Sequence, residues 1–341
     1  MIYKNAELYN VSEIETDDRD GSIKMYRMPK RLSKIFEGEN GEFANSNSTG
    51  VEIRFVINSG NAIIRMKSAC DKSVNAAFHI FRGGIQGSHE INTYVPVTPT
   101  DFEFGKAGNI DTLRAMAQEA GDSFDPEVIR IIFDRGAYRI IDISGDIKPP
   151  SIEQTPEKTL LCYGSSITHG SNSIDRSHSW TALTAHSLNM DLRNLGMPGC
   201  CALEPEVIDY IASEGERSAW DIAVLELGIN VLFWEKRKIS ERVLNTVKQV
   251  AGRNKDKPVY VISPVYCGDD FKGKAEPMLW RRIIRKTVAE LGYKNVIHID
   301  GLELLDKMTL LSADEIHPNI YGVQQIAERL TKRIKENLKD G

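Results

Sequence analysis

The sequence predicts two architectures in one chain: an all-β sandwich or jelly roll, followed by an α/β unit with a flavodoxin-like, doubly wound parallel sheet. Up to about residue 145, short β-rich runs are separated by turn signals. After residue 158, strand-like apolar runs alternate with helical segments, and three prolines lie between, in residues 146–158. A chain of 341 residues suggests two domains. We expect a β-sandwich accessory domain at 1–150 and the α/β domain at 151–341.

The first half shows the two-residue period of half-buried strands. In residues 51–57, Val51, Ile53, Phe55 and Ile57 all face the same way. Turn signals at 58–60, 82–84 and 135–136 separate the runs, and several short strands at this spacing are typical of a sandwich. One short helix is predicted at residues 110–120. The other predicted strands are 61–66, 76–81, 91–97, 128–133 and 138–143.

The second half shows the alternation that predicts parallel strands joined by helical crossovers. In open sheets of this kind, ligands bind beyond the carboxyl ends of the strands. The predicted strands are 159–163, 192–195, 222–227, 259–262 and 296–299. The predicted helices are 180–188, 204–212, 241–251, 277–291 and 321–338.

Composition excludes several classes of protein. A net charge of −5 leaves no basic footprint for nucleic acid. No run of about 18 apolar residues occurs, so no membrane span is expected. The N-terminal residues show no secretory pattern. The five cysteines, Cys70, Cys162, Cys200, Cys201 and Cys267, have no metal-like spacing, which favours reduced thiols in the cytoplasm.

The most informative segment is Leu161-Cys-Tyr-Gly-Ser-Ser-Ile-Thr-His-Gly170. An interpretation as strand, turn and helix places Ser166 at the carboxyl end of a strand and beside a helix N-terminus. A hydroxyl nucleophile is exposed at such a place, and free N–H groups stabilise the anion that develops there. Serine-rich turns are common, so this segment carries weight only together with others downstream.

Three further segments follow in order. They are Asn194-Leu-Gly-Met-Pro-Gly-Cys200, Leu225-Glu-Leu-Gly-Ile-Asn230 and Asp314-Glu-Ile-His-Pro-Asn319. Acyl transfer needs a nucleophile, a base, a group that orients the base, and donors for the oxyanion. Glycine N–H groups and an asparagine amide are suitable donors, and a carboxylate three residues before a histidine is a suitable orienting pair.

These four segments resemble the signature blocks of the SGNH (GDSL-like) hydrolase superfamily, over residues 158 to about 338. The resemblance implies Ser166 as nucleophile, His317 as base and Asp314 as the residue that orients it. It also implies an oxyanion hole from the N–H groups of Ser166 and Gly199 and the side-chain amide of Asn230. Residues 199–207 further resemble the bacterial branch of GDSL-like proteins that carries an N-terminal β-domain.

The chain departs from the family pattern twice. The usual Gly-Asp-Ser is Gly164-Ser165-Ser166, and the usual Gly-x-Asn-Asp is Gly228-Ile-Asn-Val231. Neither missing acid takes part in the proton transfers of acyl transfer, so the departures concern subfamily and substrate. Ser166 is preferred over Ser165 as nucleophile because the block aligns as Gly-x-Ser-x-Thr, ending at Thr168.

Other interpretations of these residues are open. Asp314 and His317 would also suit a loop salt bridge, or metal ligands for which no third ligand is found. The P-loop, dinucleotide and α/β-hydrolase elbow patterns are absent after the first strand of the second half. No cofactor and no metal are expected. Phe233, Trp234 and His169 are candidate substrate-binding residues, with core packing or, for His169, a half-exposed helical position as the alternatives.

The predicted function is that of a serine esterase that removes short acyl groups, most simply acetyl, from a carbohydrate or small-molecule ester through an acyl-enzyme. One alternative is a lipid-like ester or thioester acylhydrolase that resembles platelet-activating-factor acetylhydrolases. The other is a non-catalytic carbohydrate-binding protein. The ester substrate is the predicted partner, without nucleic acid, and the sequence leaves the oligomeric state open.

Overall fold

The computed structural model describes residues 1–36, 41–69, 76–88 and 93–340. Cys70 and the first two residues of the strand predicted at 91–97 lie outside this part. The described chain forms two compact units. The first comprises Met1–Lys30, Asn45–Glu157 and Asn189–Asp191, and the second comprises the rest.

The first unit is built from antiparallel strands around the long strand β5. The early half of β5 pairs with β2 and β10, and its later half pairs with β9 and β11. Apolar residues that alternate along these strands form the core, including Ile53, Phe55 and Phe133. The strands are β1 Ile2–Tyr3, β2 Ala6–Tyr9, β3 Glu13–Thr16, β4 Ile23–Tyr26, β5 Glu52–Ser68, β6 Ala77–Arg82, β7 Ile85–Gln86, β8 Thr93–Tyr94, β9 Thr100–Phe104, β10 Ile129–Phe133 and β11 Tyr138–Lys148.

The prediction of two strands separated by a turn at 58–60 is wrong, because β5 runs through this segment without interruption. Asn58 Nδ2 and Ser59 Oγ donate hydrogen bonds of 3.0 and 2.6 Å to Asp146 on β11. The register of β5 and β11 shifts on either side of Asp146. Gly60, with φ +64°, therefore belongs to an irregularity within a paired strand, of the kind a β-bulge makes, and does not reverse the chain.

The second unit contains a five-stranded sheet with helical crossovers. Its strands are β12 Thr159–Gly164, β13 Asp191–Gly196 (apart from Asp191, which is counted in the first unit), β14 Ile222–Glu226, β15 Val259–Ile262 and β16 Val296–Ile299. They lie in the order β13-β12-β14-β15-β16, and β12, β14, β15 and β16 pair in parallel. This is the flavodoxin order, so the fold class predicted from the alternation is confirmed.

The helices of the described chain are mostly amphipathic, as helices on a sheet must be. In α6, for example, Ile239, Val243, Val247 and Val250 recur every three or four residues and are fully buried. The helices are α1 Gly41–Ser46, α2 Ile110–Ala120, α3 Ser166–His169, α4 Trp180–Ser187, α5 Pro205–Glu216, α6 Lys236–Arg253, α7 Gly268–Phe271, α8 Glu276–Leu291, α9 Gly301–Leu304 and α10 Ile320–Asp340. Within the described residues, none of them has the length and apolar character needed to cross a bilayer.

The sheet order places a crevice beside β12. This strand lies between β13 and β14, whose crossovers run in opposite directions along the sheet. Ligands bind at such a switch point, beyond the carboxyl ends of the strands. The turns that follow β12, β13 and β14 contain Ser166, Gly199 and Asn230 respectively.

Candidate active site

The turn after β12 presents Ser166. The strand ends at Gly164 and α3 begins at Ser166, so Ser165 is the N-cap residue. Its hydroxyl oxygen accepts a hydrogen bond of 3.1 Å from the Ile167 N–H. Ser165 stands where the family pattern has aspartate, and a hydroxyl is enough to satisfy this helix start.

The turn is fastened to the buried carboxylate of Glu226, the last residue of β14. Oε2 of Glu226 accepts hydrogen bonds from the Ser165 N–H at 2.8 Å, the Ser165 hydroxyl at 2.7 Å and the Thr168 hydroxyl at 3.0 Å. Burial raises the pKa of Glu226, against the effect of these donors. We refer to residues 164–168 together with Glu226 as the nucleophile turn.

Gly164 has no room for a side chain. A Cβ at this position would lie 2.2 Å from Thr168 Oγ1 and 2.7 Å from Glu226 Oε2. A side chain at position 164 would occupy the space through which the Thr168 hydroxyl reaches the Glu226 carboxylate. Glycine at position 164 therefore allows this hydrogen bond to form.

A second turn, residues 312–317, presents the predicted base, and we call it the acid–base turn. Asp314 Oδ1 accepts hydrogen bonds from the N–H groups of Ile316 at 3.0 Å and His317 at 2.9 Å, and from Ser312 Oγ at 2.9 Å. Partial burial alone would raise the pKa of Asp314. The N–H groups and the His317 ring outweigh it and hold that pKa well below its usual range, so the carboxyl is ionised.

The two turns meet at the imidazole of His317. Asp314 Oδ2 lies 2.7 Å from His317 Nδ1, and His317 Nε2 lies 2.7 Å from Ser166 Oγ. The structure thus brings together the three predicted residues in the order nucleophile, base and orienting acid. Because the carboxylate can only accept at Nδ1, Nε2 is the ring nitrogen left to accept the serine proton.

Asn172 is a further polar contact of the acid–base turn that the sequence did not indicate. Its Nδ2 donates to Asp314 Oδ2 and to Ser312 Oγ, each at 2.9 Å. It lies in the loop after α3, so the helix that begins at Ser166 leads directly to a residue that contacts Asp314. No local pattern distinguishes this asparagine from an ordinary loop residue.

The loop after β13 lies between the nucleophile turn and Asn230. Met197 N–H donates to the Gly164 carbonyl at 2.8 Å, and Cys201 N–H donates to Asn230 Oδ1 at 3.2 Å. With its oxygen bound in this way, Asn230 has its NH₂ end as the donor for a ligand. Gly199 has φ +70°, and space is open around the position its Cβ would take.

A pocket of about 380 Å³ adjoins Asn230 and the acid–base turn. Six of its lining residues carry charge, and Lys274 pairs with Asp269 at 2.9 Å while Lys272 pairs with Glu315. The lining residues are Ile229, Asn230, Leu232, Phe233, Cys267, Gly268, Asp269, Lys272, Lys274, Glu276, Asp314, Glu315 and Ile316.

The three candidate substrate-binding residues occupy different environments. Phe233 lines the pocket and is 79% exposed. Trp234 is buried and packs on Trp280, with ring centroids 6.4 Å apart. His169 is fully buried within α3, so the alternative of a half-exposed helical position is wrong. The backbone of α3 also lies close to β13 here, since a Cβ on Gly196 would lie 2.2 Å from the backbone nitrogen of His169.

The described cysteines, Cys162, Cys200, Cys201 and Cys267, are free and buried. Burial, with a smaller contribution from the charge of Glu204, raises the pKa of Cys200 to about 11. Its thiol, next to Gly199, is thus protonated at neutral pH and is a poor nucleophile. Among the described residues, His, Cys, Asp and Glu side chains form no group of three that would suit a metal ion.

Comparison with known proteins agrees with this architecture. Residues 157–335 match the model of the GDSL-like lipase/acylhydrolase family, which is just over half of the chain. No curated protein matches the sequence.

Several solved structures share the fold at low identity. A salicylyl-acyltransferase, SsfX3, from a tetracycline biosynthetic pathway has 16% identity and a TM-score of 0.73, with 98% of this chain and 96% of that chain covered. A family two carbohydrate esterase from Clostridium thermocellum, solved with cellohexaose, has 18% identity and a TM-score of 0.61, with 86% and 93% covered. An acetyl xylan esterase from Butyrivibrio proteoclasticus has 12% identity and a TM-score of 0.60, with 99% and 97% covered. The chain belongs to the GDSL-like lipase/acylhydrolase family of the SGNH superfamily.

Proposed function

We propose that this protein is a serine esterase that removes short acyl groups, acetyl above all, from a carbohydrate through an acyl-enzyme. The observation that carries the proposal is the pair of 2.7 Å contacts that link Ser166, His317 and Asp314. A nucleophile within hydrogen-bond reach of a base, which is in turn oriented by a third group, is the arrangement that activates a serine hydroxyl.

In the proposed reaction, Ser166 Oγ attacks the ester carbonyl while His317 Nε2 takes its proton. The N–H groups of Ser166 and Gly199 and the Asn230 amide donate to the oxyanion. As the intermediate collapses, the imidazolium gives its proton to the leaving alcohol oxygen and the acyl group remains on Ser166. Water, deprotonated by His317, then releases the carboxylic acid and restores the serine.

The pocket supports a polar substrate. A long alkyl chain placed there would desolvate charged side chains such as Asp269, Lys274 and Glu276 without giving them new partners, and this desolvation is costly. A sugar ring offers hydroxyl groups to the same side chains and an apolar face to the exposed ring of Phe233. The names of two structural relatives, a carbohydrate esterase and an acetyl xylan esterase, point to the same substrate class.

The test is a panel of acetyl, butyryl and octanoyl nitrophenyl esters together with acetylated sugars. We expect activity to fall as the acyl chain lengthens and acetate to be released from at least one acetylated sugar. Ser166→Ala should abolish burst-phase acylation and lower kcat by about 10⁶-fold. Activity that rises from acetyl to octanoyl would instead favour the lipid-like ester, and sugar binding without turnover of any ester would favour a binding protein.

Ser165→Ala is the matched control for the nucleophile. The Ser165 hydroxyl donates to Glu226 and is occupied away from the imidazole. We therefore expect this variant to retain a burst at a reduced rate. A burst that is lost in Ser165→Ala and kept in Ser166→Ala would reverse the assignment.

A further inference from the structure

The acid–base turn contains a backbone conformation that its residue does not favour. Glu315 lies between Asp314 and Ile316 with φ +63°, in the left-handed region. A side chain with a Cβ adopts this region at a cost, and such residues persist where their surroundings hold them. The carboxylate that orients His317 is therefore followed directly by a residue that needs external support.

Two contacts supply this support: one comes from the first residue of α7, Gly268, and the other from Lys272, which directly follows the helix. The Gly268 N–H donates to the Glu315 carbonyl at 2.6 Å, and Lys272 Nζ pairs with Glu315 Oε2. A Cβ at Gly268 would lie 2.7 Å from the Glu315 Cβ, so the two segments are in close contact.

The α7 segment is itself fixed from within the second unit. The buried guanidinium of Arg281 donates to both carboxylate oxygens of Asp270, at 2.6 and 2.7 Å. It also donates to the carbonyls of Pro264 and Val265, at 2.7 and 2.9 Å. Bidentate pairing of this kind fixes the position of both partners, so Lys272 and Gly268 approach Glu315 from an anchored segment.

We propose that Glu315 is a positioning residue of the esterase: its contact with Lys272 holds the acid–base turn so that Asp314 stays aligned with His317. The inference rests on the proposed function. Glu315 touches none of the reacting atoms and acts through the backbone that it shares with Asp314 and His317. Lys272 and Glu315 also line the pocket, so their contact links the wall of the pocket to the turn that contains His317.

The test uses Lys272→Met and Glu315→Gly. Glycine adopts the left-handed region freely, so Glu315→Gly removes the side-chain contact while easing the backbone, and its thermal midpoint should not fall. Misplacement of a catalytic group by about 1 Å costs up to 10²-fold in rate. We expect kcat to fall by about 10- to 10²-fold in each variant, by a larger factor than any rise in KM, and the double variant to be no worse than either single one. The exchange Lys272→Glu with Glu315→Lys should restore most of kcat.

Lys286→Met is the control, since it removes an exposed lysine that pairs with Glu290 on α8, outside the pocket lining. A kcat within twofold of wild type in both Lys272→Met and Glu315→Gly, or an equal loss in the control, would overturn the proposal.

A second readout needs no substrate. The downfield NMR resonance of the His317 Nδ1 proton reports the hydrogen bond to Asp314, and we expect it to shift or broaden in both variants and not in Lys286→Met. An unchanged resonance would overturn the positioning role. Failure of the proposed function has a different signature, in which wild type turns over no ester although this resonance responds to the variants.

Discussion

The nucleophile turn and the acid–base turn bring their residues to the same hydrogen bond from opposite environments. Ser165, Ser166 and Glu226 are 1%, 7% and 2% exposed, whereas the side chains of His317 and Asp314 are 20% and 41% exposed. One turn is held by a single buried carboxylate that three donors share. The other is held near the surface by backbone N–H groups and by contacts from Asn172 and Lys272.

Because of this difference, we expect substitutions in the two turns to have different effects on stability and rate. A change at the nucleophile turn disturbs close-packed, desolvated contacts, so it should lower both stability and rate. A change at the acid–base turn disturbs contacts that water replaces readily, so it should lower the rate with little loss of stability. Variants on the two sides should therefore fall into two groups when kcat is compared with the free energy of unfolding.

The largest effects within this comparison are expected for Asp314→Asn and His317→Ala. The amide leaves His317 without its anionic partner and favours the wrong tautomer, which costs about 10⁴-fold in kcat in Ser-His-Asp enzymes. We expect this loss with only a small fall in the midpoint of urea unfolding at pH 7, because the lost carboxylate is 41% exposed, and a still larger loss of kcat in His317→Ala. Asp306→Asn, which changes an exposed carboxylate paired with Arg329, is the control. Equal damage in Asp314→Asn and His317→Ala would mean that the acid does more than orient the base.

Gly164→Ala is the corresponding change at the nucleophile turn. The added methyl group would lie 2.2 Å from Thr168 Oγ1, so the turn must shift away from Glu226. We expect kcat to fall by up to about 10²-fold and the free energy of unfolding to fall by about 1–3 kcal/mol. Gly108→Ala, at a glycine with open space around it, should change neither. A Gly164→Ala protein with normal stability and a reduced rate would remove the proposed distinction between the two turns.

The sequence predicted the positions of those site residues that follow directly from local sequence patterns. Apolar alternation and the spacing of glycines placed Ser166, Gly199 and Asn230 after successive strands, and the structure has them there. The helix at 110–120 was also predicted with its observed bounds. The catalytic roles of Ser166, Asp314 and His317 stay predictions until variants are measured.

The features that the sequence did not predict depend on contacts between residues that are far apart in the chain. The turn signal at Asn58 and Ser59 is overridden by Asp146, 88 and 87 residues later. Glu226 stands out in the sequence as a charged residue at the end of an apolar strand. The local sequence does not indicate that its partners are Ser165 and Thr168. The short strands β1 to β4 were not predicted, because segments such as Glu-Ile-Glu-Thr contain too few apolar residues to show the two-residue period of a strand.

The smallest effect, and the one that distinguishes the turns by sign, is the dependence of stability on pH. Burial raises the pKa of Glu226 above its ordinary value of 4.5. The folded protein therefore keeps a proton that the unfolded chain has lost, and stability falls as pH rises from 4.5 through the raised value, by at most about 1.4 kcal/mol per pH unit. Asp314 has the opposite sign, because its lowered pKa contributes stability that is present above 3.8 and lost as pH falls below it.

Glu226→Gln isolates the buried carboxyl, since the amide oxygen can accept the same three hydrogen bonds. The Glu226 Oε1 atom has no hydrogen-bond partner among the described residues, so no pairing is broken at the other end. We expect the free energy of unfolding of Glu226→Gln, measured with urea from pH 4 to pH 8, to gain on wild type as pH rises above 4.5. A constant difference across this range would show that Glu226 ionises normally in the folded protein, in which case the nucleophile turn is held by an ordinary carboxylate and burial does not set its proton.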